Sequence, residues 1–161
     1  MKTKVLLANF LSLLLITSSL PVTINASSVD HENPANSSVE YLENGAYIET
    51  VVIETAPLTR AAYSTKNGQK TVTYKNSDGV AQWSYTVNGS FSYNGTTSSC
   101  TQVSDSYSIS DSRWQVRNHS CSKSGNNANG SITVDRKVLG ITTQTHSENI
   151  TLSCDNNGNL S

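Results

Sequence analysis

Between Trp83 and Tyr93 the chain alternates large apolar and small polar side chains: Trp83, Tyr85, Val87, Phe91 and Tyr93 against Ser84, Thr86, Ser90 and Ser92. A period of two over eleven residues excludes a helix, because only an extended backbone sends i and i+2 to the same side. One side of this segment is therefore buried and the other wet. Asn88-Gly89 interrupts the run and is compatible with a bulge, a bend or a two-residue hairpin turn. A long bent strand is the expected form, since a hairpin here still needs a further partner for its large side chains.

The same grammar continues on both sides. Lys70–Lys75 alternates Val72 and Tyr74 with Thr71 and Thr73, and Asn76-Ser77-Asp78-Gly79 is a turn. Ala62-Tyr63-Ser64 reads as a short edge strand before an Asn67-Gly68 turn. Val103, Tyr107 and Ile109 mark one further strand and Trp114 with Val116 another, separated by Ser110-Asp111-Ser112. Ser122 to Asn129 reads as a loop. Ile132 to Ile141 reads as a strand bent at Gly140, and Ile150, Leu152 and Cys154 close the fold. Asp155-Asn156-Asn157-Gly158 is a terminal turn, with fraying expected after it. Six to eight short strands without a long helix predict an all-β chain. An antiparallel β-sandwich, immunoglobulin-like or related, is favoured over a small β-barrel.

The N-terminus sets the compartment. Met1-Lys2-Thr3-Lys4, an apolar run from Val5 to Leu20 and the exit Ile24-Asn25-Ala26 form a secretory signal peptide, residues 1–26. Asn9, Ser12 and Thr17 interrupt the apolar run too often for a spanning helix. The expected product is secreted and extracellular. Residues 27–59 read as a variable or flexible segment, within which Tyr47–Glu54 is rich enough in β-branched residues for a strand and Val39–Glu43 is either one helical turn or extended. Residues 60–161 are the expected sandwich domain.

Removing Lys2 and Lys4 from the eleven Lys/Arg leaves nine against twelve Asp/Glu. That balance lacks the concentrated basic footprint of a nucleic-acid partner, and no mature segment has the amphipathic basic character of a membrane-surface helix.

Chemistry-bearing motifs are sparse. HExxH, CxxC, GxSxG and a phosphate-binding glycine run are absent from the sequence. His31, His119 and His146 are scattered, and neither they nor Cys121 show metal-ligand or triad spacing. Asp105, Asp111, Asp135 and Glu148 fall at strand ends or turns and do not form an evident pair for hydrolysis. Asp155-Asn156-Asn157-Gly158 suits an Asx turn better than a calcium loop. Asn-x-Ser/Thr acceptor patterns at Asn36, Asn88, Asn94, Asn118, Asn129 and Asn149 follow from a composition rich in these residues. The expectation is a non-enzyme without cofactor or metal.

Aromatic residues are the main binding candidates. Trp83, Tyr85, Phe91 and Trp114 are core fillers by pattern, whereas Tyr63, Tyr107 and Trp114 are the candidates for an exposed surface, Trp114 standing in both readings. Exposed rings would make a stacking platform for a cell-surface glycan or a docking patch for protein. Of three cysteines, Cys100, Cys121 and Cys154, an oxidising compartment makes one disulfide, and the residues leave its pairing open.

Lys70-Thr71-Val72-Thr73-Tyr74-Lys75-Asn76, Val80-Ala81-Gln82-Trp83 and Val87-Asn88-Gly89-Ser90-Phe91-Ser92-Tyr93-Asn94-Gly95 resemble a group of small secreted proteins of unknown function from Gram-positive (Firmicutes-type) bacteria. The resemblance extends over residues 59–161 to Cys100, Trp114, Ser122-Lys123-Ser124-Gly125 and Thr151-Leu152-Ser153-Cys154. It implies a Cys100–Cys154 disulfide, with Cys121 extra and either free, buried or used between chains. It also implies a variable region before a step like Thr59-Arg60, hence a second cleavage near Arg60. The shared motifs are structural, and no activity follows from them.

Overall fold

The structure, a computed structural model, describes residues 33–55 and 64–161. The leader, His31, Tyr63 and the Thr59-Arg60 step lie outside the described residues. Eight strands follow in chain order: β1 (Asn33–Tyr41), β2 (Tyr47–Thr55), β3 (Ser64–Lys75), β4 (Ala81–Tyr93), β5 (Ser98–Ile109), β6 (Trp114–Ser124), β7 (Asn127–Val138) and β8 (Ile141–Ser153). β1 to β5 form one antiparallel meander and β6 to β8 a second. The two layers pack as a sandwich and do not close into a barrel. Each sheet is a simple up-and-down meander, so the likeness to immunoglobulin domains is one of layers and not of strand order.

Two strands precede residue 60, where the sequence reading begins the sandwich. β1 and β2 extend the sheet from β3, with Ile48 opposite Tyr74 and Val52 opposite Lys70. Ala46, Ile48 and Val52 join the core. The alternation of Tyr47–Thr55 is thus a sheet strand, and Val39–Tyr41 is extended within β1 rather than helical.

β4 is the continuous strand expected from its alternation. Trp83, Tyr85, Val87 and Phe91 are all fully buried, and β6 to β8 supply Trp114, Ile132, Val134, Ile150 and Leu152 against them. Trp114 meets Trp83 edge-on at 6.4 Å and Tyr74 at 5.2 Å between ring centroids. These contacts put the hydrophobic driving force between the sheets.

Four local expectations are corrected. Asn67-Gly68 is not a turn but lies inside β3, with Gly68 paired between Glu54 and Gly89. The loop over Ser122–Asn129 shrinks to a two-residue link, Gly125-Asn126, between β6 and β7. The strand through Gly140 is instead a tight hairpin: Leu139 (φ 51°) and Gly140 (φ 81°) both adopt left-handed backbone, the primed geometry that matches strand twist. The C-terminus does not fray. Leu160 is buried, while Ser161 exchanges hydrogen bonds with Ser153 at 2.9 and 3.1 Å.

Cys100, Cys121 and Cys154 are all thiols, so the Cys100–Cys154 bridge is not formed in this structure. The two residues nevertheless meet the same turn. The N–H of Cys100 donates to Gly125 O (2.8 Å) and that of Cys154 to Asn126 O (3.1 Å).

Candidate functional site

The exposed-aromatic expectation is only partly met. Trp114 is 3 % exposed and is a core residue; its place at the start of β6 turns its ring in between the sheets. Tyr107 on β5 is 48 % exposed, and its ring packs edge-on against His119 at 5.0 Å. Tyr41 is the other exposed ring among the described residues, and it lies on β1 at the opposite edge of the same sheet. Two rings separated by three intervening strands do not make a shared stacking platform.

Titratable groups gather where β5 faces β6. Asp105 Oδ2 accepts a hydrogen bond from His119 Nδ1 at 2.7 Å. Tyr85 Oη lies 3.0 Å from both this oxygen and the carbonyl of Ser120, and donates to one at a time. The Cys121 thiol also donates to Asp105. Burial works to raise the Asp105 pKa, but the hydrogen bonds from His119, Tyr85 and Cys121 prevail and hold the carboxyl below the usual carboxylate range. Burial and the neighbouring carboxylate push the Cys121 thiol and the Tyr85 phenol up.

This cluster has the residue types of a thiol enzyme in a different order. The carboxylate stands at the centre and accepts from both His119 and Cys121, so His119 is not the base of the thiol. A thiol with a raised pKa is a poor nucleophile at neutral pH. The geometry instead ties the two sheets at an open seam. His146 lies apart, its Nε2 2.6 Å from Glu148 and its ring 5.5 Å from Tyr74.

The other sequence-singled carboxylates are likewise engaged. Asp135 receives Arg117 through two bonds, at 2.9 and 2.6 Å, and Thr145 Oγ1 at 2.8 Å. Asp111 is chelated by Arg113. Asp155 caps its own turn through Asn157 and Asn159, the Asx arrangement expected. Among the described residues no group of three or more His, Cys, Asp or Glu side chains is disposed to hold a metal ion.

The feature that sequence reasoning missed is a trough of about 500 Å³ on the outer face of the five-stranded sheet. Its origin is the in-register pair Gly68 and Gly89 on β3 and β4. A Cβ on Gly68 would stand 2.1 Å from Leu160 Cδ1, and one on Gly89 would stand 2.6 Å from the Phe91 ring and 3.1 Å from Ala128. Core side chains thus fill the space that two Cβ atoms would need, and both backbones sit deep. The outer surface is dented at that point.

Around the dent stand Thr55, Asn67, Gln69, Asn88, Ser90, Gln102 and Ser104. Gln102 is there because of a bulge. Strand alternation from the inward-facing Cys100 would send Gln102 inward, but the pairing of β4 with β5 shifts between Ser90 and Phe91. The extra residue, Thr101, bonds Ser90 O at 3.0 Å, and Gln102 is re-aimed outward. The Lys123 ammonium reaches Thr101 O at the rim. Among the described residues the amides of Asn67, Gln69, Asn88 and Gln102 and the hydroxyls of Ser90 and Ser104 have no partner within the protein. The available sequence signal was the repetition of Asn-Gly, at 67–68 and 88–89, inside otherwise alternating strands.

Comparison with known proteins gives no match: no family model fits the chain, and no curated protein or solved structure is significantly similar to it.

Proposed function

We propose that this is an exported extracellular module of a Gram-positive bacterium that acts by binding, through the outer face of its five-stranded sheet, and not by catalysis. The observation that carries this reading is the trough, where six amide and hydroxyl side chains converge around an indented floor without partners among the described residues. Among the described residues, the carboxylates in the two histidine-bearing clusters and at Arg117 have structural work: Asp105 ties the sheets, Asp135 holds Arg117 and Thr145, and Glu148 holds His146. Polar groups converging in a concavity are what orients a bound ligand. The partner is a cell-surface glycan or protein, and neither nucleic acid nor membrane belongs to the reading.

Export also bears on the cysteines. Cys100 and Cys154 bond consecutive carbonyls of one turn, and burial raises both thiol pKa values. In the oxidising exterior they join, while Cys121 stays reduced against Asp105. Intact-mass analysis of the secreted protein then shows removal of the leader after Ala26, a loss of one pair of hydrogens, and a Cys100–Cys154 peptide on digestion. A Cys121-containing bridge refutes this pairing.

The binding reading is tested by incubating the secreted protein with cell walls of the producing bacterium and with host mucus glycoproteins. Retention on either that falls with Asn88→Asp supports it. Full recovery in the unbound fraction from both refutes it.

A further inference from the structure

We infer that the trough is a subsite for a neutral, hydroxyl-rich glycan chain, an inference that rests on the outer face being the binding face. Three observations select this ligand class. First, the trough floor has no backbone groups to offer a peptide: β3 is paired on both sides by β2 and β4, and β4 by β3 and β5, so their ladders are already satisfied. Recognition must come from side chains. Second, those side chains are four primary amides and three hydroxyls (Thr55, Ser90 and Ser104), each of which both donates and accepts. A sugar hydroxyl also does both, so an amide meets adjacent hydroxyls with a donor and an acceptor together. Third, among the described residues no carboxylate lines the trough, and the one cation that does, Lys123, is turned to the Thr101 carbonyl. A charged partner would find little counter-charge.

The form of the site defines the form of the ligand. It is a depression on a sheet face, not an enclosed cavity, and it suits an internal stretch of polysaccharide better than a free monosaccharide. Residues 68 and 89 face the core, so the floor between the flanking side chains is sunken backbone and a flat sugar can approach closely. Among the described residues no aromatic ring lines it, so they offer no stacking. Binding of a single site is therefore weak and becomes strong only on a multivalent surface such as a cell wall or mucus.

The test is affinity electrophoresis of the full secreted protein in native gels containing a neutral polysaccharide (starch, mannan, xylan or mixed-linkage β-glucan) or an anionic one (polygalacturonate). Wild-type protein is expected to be retarded by at least one neutral polymer and not by polygalacturonate. Gln69→Ala and Asn88→Asp each weaken that retardation on the order of fivefold, the loss of one or two hydrogen bonds. Unfolding midpoints measured on the same variants separate lost binding from lost fold. Absence of retardation by every neutral polymer, or retardation indifferent to both substitutions, overturns the inference.

A second arm uses periodate-oxidised cell walls, in which vicinal diols are destroyed. If retention survives oxidation, is lost from walls stripped of protein by protease, and is abolished by Asn88→Asp, the trough binds a protein; the glycan inference then falls and the binding reading stands. If wild-type protein is retained by neither native nor oxidised walls nor mucus, the binding reading itself falls.

Discussion

Replacing Gly89 with alanine tests the origin of the trough. The new Cβ would lie 2.6 Å from Cε2 and Cζ of Phe91 and 3.1 Å from Ala128 Cβ. Comfortable carbon–carbon contact is about 3.5–4.0 Å, so the methyl is roughly an ångström too close to a ring that is itself fully buried. Overpacking of this kind costs about 1–3 kcal/mol. Against it stands the reduced freedom of the unfolded chain, worth about 0.5–1 kcal/mol when glycine leaves a strand. The net expectation is a destabilisation of about 1–2 kcal/mol, or about 4–8 °C in Tm at roughly 4 °C per kcal/mol. Urea titration followed by the fluorescence of Trp83 and Trp114, both buried, measures it. Adding Phe91→Leu removes the ring-edge atoms that clash, so the double variant should show a favourable coupling of about 1 kcal/mol. A neutral or stabilising Gly89→Ala, or a cycle without coupling, refutes the claim that close packing beneath Gly89 creates the dent.

Removing the hydroxyl in Tyr85→Phe leaves Asp105 and the Ser120 carbonyl without their shared donor across the sheets, and should cost about 1–2 kcal/mol in urea titration. Leu160→Ala vacates the space beneath Gly68; a loss of about 2–4 kcal/mol by thermal unfolding is expected for a buried leucine, and a loss near zero would show that the tail is merely laid on the surface. Asp105 has a pKa depressed below its unfolded value. Its contribution is therefore fully present above about pH 4, the unfolded carboxylate value, and is lost as pH falls through the lower folded value. Asp105→Asn should flatten the stability profile below about pH 4, and an unchanged acid limb would remove Asp105 as a contributor.

Much of the fold was legible because burial writes a period of two into each strand. Trp83, Tyr85, Val87 and Phe91 announce one wet and one dry face, and Asn76–Gly79 announces a turn through its own backbone preferences. The errors share a cause. Asn67-Gly68 was read as a turn from its local propensity and Leu139-Gly140 as strand from the apolar residues around it, yet the backbone at residue 68 is decided by Leu160, ninety-two residues later in the chain. Leu160 was misplaced and Trp114 was left between core and surface, because a single apolar residue near a chain end or turn carries no periodicity to reveal its burial. β1 and β2 were separated from the domain because a polar composition around them hides how Ile48 and Val52 complete the sheet.

The candidate site was less legible than the fold. A sequence shows that Asn67, Gln69, Asn88, Ser90, Gln102 and Ser104 are polar, but polarity is also what any solvated strand face requires. Strand alternation by itself determined that this chain must bury rings and aliphatics between extended layers. Only the tertiary structure decided that two glycines from different strands fall in register over Leu160 and Phe91, and that a one-residue bulge turns Gln102 to the same side. The physical reason is that alternation is a property of one strand, whereas register and indentation depend on which distant atoms occupy the space beneath it.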